Sequence, residues 1–177
     1  MNCLRLAPDL GRDVGMSKTI HWSAIKLLAL DFDGVMTDNR VLVDQEGKEA
    51  VFCHRGDGMG IGLLKKAGLA VLVISMEPNP VVSARCRKLK IDCIQNCEKK
   101  LRALQQIATA RNLKPREIAF AGNDVNDLEC LRWVGLPIAV ADAEPEVLKA
   151  AAYVTRRPGG YGAVREIADR LLGESAD

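Results

Sequence analysis

LLALDFDGVMTDN, residues 27–39, is the stretch on which the fold turns. Its apolar opening has the length and aliphatic character of a buried strand. It then runs into two acids one residue apart, Asp31 and Asp33, and a glycine, Gly34. Burying two like charges that close is costly unless something positive joins them. A buried strand that ends this way implies a ligand site at its carboxyl end.

Working outward, short apolar runs alternate with helical patterns along the rest of the chain. Strands are expected at 26–32, 69–75, 91–95, 116–122, 136–141 and 153–155. Helices are expected at 58–68, 79–90, 98–112, 126–135, 145–152 and 162–173. Asn79 suits the N-cap of the second of these helices, and Pro80 its first turn. Continuous apolar strands alternating with helices predict a parallel sheet covered on both faces, a Rossmann-like, doubly wound α/β fold. Ligands in such folds bind beyond the carboxyl ends of the strands, which is where Asp31 and Asp33 fall.

One segment breaks the rhythm. RVLVDQEGKEAVFCH, residues 40–54, reads as two strands about a polar turn at 44–48, a β-hairpin placed between the first strand and the first helix. It is expected to project over the carboxyl end of the sheet as a flap and an oligomer contact, or else to be a plain surface hairpin. Residues 1–19, with Pro8, Gly11 and Gly15 and no apolar signal-peptide core, read as a disordered tail, and Met16 is an alternative start. Residues 20–177 read as a single domain with the flap at about 40–54.

Composition excludes several classes. The 177 residues are 48% hydrophobic but only 4% aromatic, which predicts an aliphatic core. A net charge of +2, with scattered basic residues and no interleaved aromatics, gives no reason to expect nucleic acid. No apolar run approaches the roughly 18 residues that would span a membrane. Six cysteines without a CxxC pair, with only His21 and His54 beside them, argue against a zinc site. They suit reduced thiols, so the expected compartment is the cytoplasm.

The chemistry follows from residue types at strand ends. A hard cation such as Mg²⁺ is the natural partner for Asp31 and Asp33, because it takes oxygen ligands. Asp31 could ligate it and attack a phosphorus atom. Asp33 could protonate the leaving oxygen and then deprotonate water. Gly34 would permit the tight turn that aims both side chains. The next core strand ends in Ser75, whose hydroxyl could hold a phosphoryl oxygen. Lys100, near the start of a later helix, could neutralise developing charge. The fourth strand ends in GNDVNDLECL, residues 122–131, which offers Asn123, Asp124 and Asp127 to the cation. Each feature also has an ordinary reading, namely a turn motif, a helix-flanking serine, a surface lysine and an acidic helix N-terminus.

In this order the motifs resemble those of the haloacid dehalogenase (HAD) superfamily of aspartate-nucleophile phosphatases. DFDGVMTD is similar to its first motif, Ser75 to its second, Lys100 to its third and GNDVND to its fourth. The likeness covers about residues 26–172. HRGDGMGIGLLKKAG (54–68), VGLPIAVADAEPEVLKAAAYVT (134–155) and RRPGGYGAVREI (156–167) resemble the small, capless 3-deoxy-octulosonate 8-phosphate (KDO 8-phosphate) phosphatase family. That family includes phosphatases of the nine-carbon acids KDN 9-phosphate and N-acetylneuraminate 9-phosphate. The resemblance implies a Mg²⁺-dependent homotetramer in which the hairpins pack together and a neighbouring subunit helps close each site. It also implies a phosphorylated sugar acid as substrate.

Two departures from the family pattern bear on the substrate and the metal. Where the octulosonate branch carries Thr-Gly-Arg, this chain has Ser75-Met76-Glu77, so the arginine expected to grip the substrate is missing. Glu77 resembles the nine-carbon branch, as do Arg85 and Lys88, which could bind a substrate carboxylate or simply face solvent. Asn123 stands where the octulosonate enzymes commonly have Asp, which removes one negative charge from the metal site. Asp124 and Asp127 remain as carboxylates to support the metal. Arg55 and Asp57, just after the flap, are expected near the site mouth as substrate contacts, or as a turn-stabilising pair. His54 reads as a hairpin-end residue, and Gly159, Gly160 and Gly162 as a chain reversal. A second class of function stays open: a related domain is fused to some animal sialic-acid cytidylyltransferases, where it resembles an oligomerisation module, and Asn123 and Met76 favour that reading. A receiver-like phospho-accepting domain is opposed by the second acid, Asp33.

Overall fold

β1 (Leu27–Leu30) is buried along its whole length and pairs in parallel with two strands. One is β4 (Ala70–Ile74), the other β6 (Ile118–Gly122). β5 (Asp92–Ile94) extends the sheet beyond β4. β7 (Leu136–Ala139) and β8 (Tyr153–Val154) extend it beyond β6. The order is β5-β4-β1-β6-β7-β8, all parallel. The chain moves one way from β1 to β4 and β5, then returns to the other side of β1 with β6. The crevice between the ends of β1 and β6 is therefore the topological switch point, where an open α/β sheet binds its ligand.

This computed structural model describes residues 21–173, so the expected N-terminal tail over 1–19, with Cys3 and Met16, lies outside the described residues. The described residues share one aliphatic core, filled by Leu27, Leu28, Leu30, Ile61, Leu64, Leu72, Ile74, Leu104 and Ile118 together with Phe32 and Phe120. Among them no helix is long and apolar enough to cross a membrane.

Among the described residues six α-helices flank the sheet. They are α1 (Arg55–Lys66), α2 (Val81–Leu89), α3 (Lys100–Ala110), α4 (Leu128–Trp133), α5 (Pro145–Ala150) and α6 (Ala163–Leu171). α1 lies against α6, and Gly60 makes the close approach possible: a Cβ there would sit 3.0 Å from the Ala168 Cβ and 3.1 Å from the Arg165 backbone.

Three helix boundaries differ from the sequence reading, each for a local reason. α1 begins at Arg55 rather than 58, so Arg55 and Asp57 belong to its first turn and not to a loop. The helix expected at 126–135 is split. A 3-10 turn at Val125–Asp127 comes first, because the Asp127 side chain folds back to accept the Asn123 amide at 3.0 Å. α2 starts one residue later than Asn79 as cap would give, yet Asn79 Oδ1 still accepts the Val81 amide at 3.0 Å. The hairpin forms where expected, as β2 (Leu42–Val43) and β3 (Glu49–Ala50), paired antiparallel and exposed on both strands.

Candidate active site

Asp31 is the first residue after β1, and its amide continues the ladder by donating to the Ala121 carbonyl at 2.9 Å. Its side chain is buried at the sheet edge. Oδ1 accepts the Phe32 amide at 2.7 Å and lies 2.9 Å from Lys100 Nζ. Lys100, at the first turn of α3, is buried as well and reaches Asp127 Oδ1 at 2.8 Å. One ammonium is thus held between two buried carboxylates, which leaves the cluster negative and suited to a further cation.

Titration follows this packing. Burial, and then the charge of Asp127, push the Asp31 carboxyl up to about 7 against the pull of Lys100. Burial, and then Glu77, raise Asp33 above the usual carboxylate range. Burial pulls Lys100 down, but the Asp31 and Asp127 carboxylates more than offset it, so the ammonium is favoured. A raised Asp33 suits a group that must hold a proton to give away.

The loop after Asp31 is built for close approach. Gly34 has φ +78°, and a Cβ there would sit 2.0 Å from Asn123 Nδ2. Only glycine lets the Asn123 amide lie over this turn. Asn123 Oδ1 is buried with no hydrogen-bond partner and is the orphaned acceptor a cation would satisfy. Thr37, fully buried, accepts the Gly34 amide at 3.1 Å and lies 3.5 Å from Asp33 Oδ1, which ties down the same turn. Ser75 Oγ, at the end of β4, accepts the Glu77 amide at 3.0 Å.

These residues converge. Asp31, Asp33, Ser75, Glu77, Lys100, Asn123 and Asp124 line one cavity of ≈ 230 Å³, with Asn39, Met76 and Asn126 completing its wall. The carboxylate oxygens of Asp31, Asp33 and Asp124 and the amide oxygen of Asn123 fit a hard divalent cation and not a thiophilic one. Asp127 does not line the cavity. It is fully buried beneath it and holds Lys100 and the Asn123 amide in place.

The other expected substrate contacts lie elsewhere within this subunit. Arg55, Arg85 and Lys88 line a separate, larger groove of ≈ 880 Å³ between the flap, α1 and α2. Arg85 Nη2 donates to the His54 carbonyl at 3.3 Å. Asp57 is no site-mouth residue: it is buried, and Oδ1 accepts the Arg165 amide at the start of α6, 2.9 Å away. Asp57 lies in the first turn of α1, on the side that meets the start of α6.

Several contributors escaped the sequence reading. Thr37 had a signal, since it sits four residues after Asp33 in the same motif. Gly159 and Gly160 had none. Their turn does more than reverse the chain: it packs on the Asp33–Asp38 loop, where a Cβ on Gly159 would sit 1.8 Å from the Gly34 carbonyl oxygen. Gly160 donates to the Val35 carbonyl at 3.1 Å, and Asp142 Oδ1 anchors the Gly159 amide at 2.8 Å.

Comparison with known proteins agrees with this geometry. Residues 82–166 match a family model described as haloacid dehalogenase-like hydrolase. The 3-deoxy-D-manno-octulosonate 8-phosphate phosphatase KdsC of Escherichia coli K12 is 37% identical over 149 residues, 84% of this chain and 79% of the relative. The chain belongs to the KDO 8-phosphate phosphatase family of HAD-like hydrolases. Among solved structures, one from Streptomyces avermitilis described as an HAD family hydrolase is 51% identical, with a TM-score of 0.83 over 85% of this chain and 86% of that one. The KDO 8-phosphate phosphatase of Moraxella catarrhalis, solved with magnesium, phosphate and KDO, is 30% identical, with a TM-score of 0.84 over 87% of this chain and 89% of its own.

Proposed function

We propose that this chain is a Mg²⁺-dependent phosphatase of a phosphorylated 3-deoxy-2-keto sugar acid, either KDO 8-phosphate or a nine-carbon 9-phosphate such as KDN or N-acetylneuraminate 9-phosphate. The observation that carries the reading is the convergence of Asp31, Asp33, Ser75, Lys100 and Asn123 on one cavity at the sheet's switch point. The Asp31 carboxylate, the Asp33 main-chain carbonyl and Asn123 Oδ1 would hold Mg²⁺, with Asp124 and Asp127 in support. When bound, the cation neutralises the phosphoryl oxygens and the aspartate beside them.

Asp31 attacks phosphorus and becomes an aspartyl phosphate as the ester P–O bond breaks. Asp33 gives its proton to the departing sugar oxygen. It then takes a proton from the water that attacks the aspartyl phosphate, which releases inorganic phosphate and restores Asp31. Ser75 and Lys100 hold the phosphoryl oxygens through both steps.

Glu77 on the cavity wall, where an arginine was expected, favours the nine-carbon acids. Within one subunit Lys100 is the only basic side chain in the cavity lining, and it is engaged by Asp31 and Asp127. On this reading a neighbouring copy meets the substrate carboxylate, and Arg55, Arg85 and Lys88, which line the outer groove, are the candidates to serve across such an interface. The supporting observation is an exposed apolar surface on the flap and α1, with Leu42 at 64% and Phe52 at 71% exposure beside Val41, Val43 and Met59. This surface suits a homotetramer built on the hairpins. The cytoplasm is the compartment that suits the free thiols of Cys53, Cys86, Cys93, Cys97 and Cys130.

The experiment is phosphate release with Mg²⁺ from KDO 8-phosphate, KDN 9-phosphate, N-acetylneuraminate 9-phosphate and hexose phosphates, with Asp31→Asn run beside the wild type. A single preferred sugar acid, lost in D31N, is the expected result. Full turnover by D31N would sink the mechanism. A folded tetramer inert on every ester would support the second reading, an assembly module, which the exposed flap also suits.

A further inference from the structure

The flap is anchored at its base, where Cys53 forms a β-bridge with Thr37 and the His54 carbonyl accepts Arg85 Nη2. Its tip carries two short strands whose residues are all exposed, and little holds that tip to the body of the protein. Among the described residues, one hydrogen bond joins 41–50 to the α/β body: Asn79 Nδ2 donates to Glu49 Oε2 at 3.0 Å. The partners of Asn79 are specific. Its Oδ1 accepts the Val81 amide at 3.0 Å, so the carbonyl side must face α2 and the NH₂ side must face the flap. Its own amide donates to Glu77 Oε1 at 2.7 Å, and the Glu77 amide donates to Ser75 Oγ at 3.0 Å. Glu49, Asn79, Glu77 and Ser75 thus form one unbroken chain from the flap to the cavity wall.

We infer that Asn79 is a positioning residue that ties the flap to the Ser75–Glu77 loop and so sets where the flap stands relative to the cavity wall. The kinetic side of this inference rests on reading the cavity as a phosphatase site. The mechanical side rests on the hydrogen bonds alone. The two ends have different chemistry, a carboxamide donor on α2's entry loop and a carboxylate acceptor on the flap, so the tie can be broken and remade by design. Asn79→Asp keeps the acceptor for Val81 and removes the donor, setting two carboxylates against each other. Glu49→Gln keeps an acceptor oxygen for Asn79. In N79D/E49Q, donor and acceptor are exchanged and the bond can form in reverse.

The test measures amide hydrogen exchange over 42–50 in all four proteins, together with KM and kcat for the preferred sugar-acid phosphate and for p-nitrophenyl phosphate. In N79D, exchange at the flap should rise, and KM for the sugar acid should rise roughly 5-fold while kcat on p-nitrophenyl phosphate stays within about 2-fold. E49Q should behave like the wild type, and N79D/E49Q should recover both readouts. Flap exchange unchanged in N79D would overturn the inference. So would N79D/E49Q as impaired as N79D, because Asn79 would then act only as a helix cap. If the exchange pattern appears and no phosphate ester is turned over, the tie stands and the phosphatase reading fails.

Discussion

The Lys100 ammonium lies 2.9 Å from Asp31 Oδ1, in a site where both side chains are almost wholly out of water. Asp127, fully buried on the other side of the ammonium, makes Lys100 the counter-ion of two carboxylates at once. Removing it strands both. Lys100→Met should therefore destabilise the metal-free protein by about 3–5 kcal/mol, the usual cost of breaking a buried pair. Turnover should fall by roughly 10²–10³-fold as the phosphoryl oxygens lose their cation. Urea unfolding in EDTA and steady-state kinetics check the two parts separately. Mg²⁺ should recover part of the stability, because it supplies positive charge to the same cluster.

Gly34 offers a test of the oxygen cage without touching a charged group. At φ +78° a side chain costs about 1–2 kcal/mol in any surroundings. Here the added carbon would also fall 2.0 Å from Asn123 Nδ2, so Asn123 must move. Gly34→Ala should lose about 2–3 kcal/mol of stability and also shrink the rise in melting temperature that Mg²⁺ gives the wild type. An unchanged Mg²⁺ response would show that Asn123 Oδ1 is no ligand.

How far the sequence could be read depended on the range of the contact. Asp31, Ser75 and Asn123 were visible because each stands where an apolar run stops, and parallel strands must bring those ends to one edge. The sheet was legible for the same reason, since continuous aliphatic runs have no place but a doubly covered interior. Asp57 was misplaced because its partner, the Arg165 amide, is 108 residues away, and nothing near Asp57 shows that α6 begins beside it. Arg85 and Lys88 were visible as a basic helix face, but which groove that face lines depends on how α2 sits against α1 and the flap. The Gly159–Gly160 turn looked like punctuation because the loop it touches lies more than a hundred residues earlier. Side-chain exchanges such as Asn79 with Glu49 depend on rotamers that no pattern encodes.

The raised titration of Asp31 gives stability and metal binding opposite pH dependences. An unfolded aspartate titrates near 3.9, whereas burial and Asp127 push Asp31 up to about 7 in the folded, metal-free chain. Between those values the folded state holds a proton that the unfolded state has released. By linkage, the contribution of Asp31 is fully present below about 4 and is lost as pH rises through about 7. In EDTA, Asp31 should therefore make the protein less stable at pH 8 than at pH 6. Mg²⁺ competes with that proton, so its apparent affinity should climb up to about tenfold per pH unit below 7 and level off above it. Melts in EDTA and Mg²⁺ titrations at pH 5.5, 6.5, 7.5 and 8.5 measure both, and Asp31→Asn should flatten the Asp31 part of each profile.

The flap bears on assembly. Leu42 and Phe52 expose most of their apolar surface, and neither belongs to the hydrophobic core. Side chains of this kind on a short hairpin would be a solubility burden for a lone subunit. If hairpins from neighbouring copies cover one another, Leu42→Ser and Phe52→Ser together should turn the larger species into a smaller one by light scattering. Helix content and the unfolding midpoint of the dissociated subunit should change little, because surface substitutions away from the core cost within about 0.5 kcal/mol. Sugar-acid turnover should fall with dissociation while p-nitrophenyl phosphate turnover persists, because Asp31, Asp33, Ser75, Lys100 and Asn123 all come from one chain, whereas the proposed carboxylate contact comes from a neighbouring copy. A wild-type protein that is monomeric at micromolar concentration and fully active on its sugar acid would defeat this reading, and the carboxylate would then have to be met by groups of the same subunit.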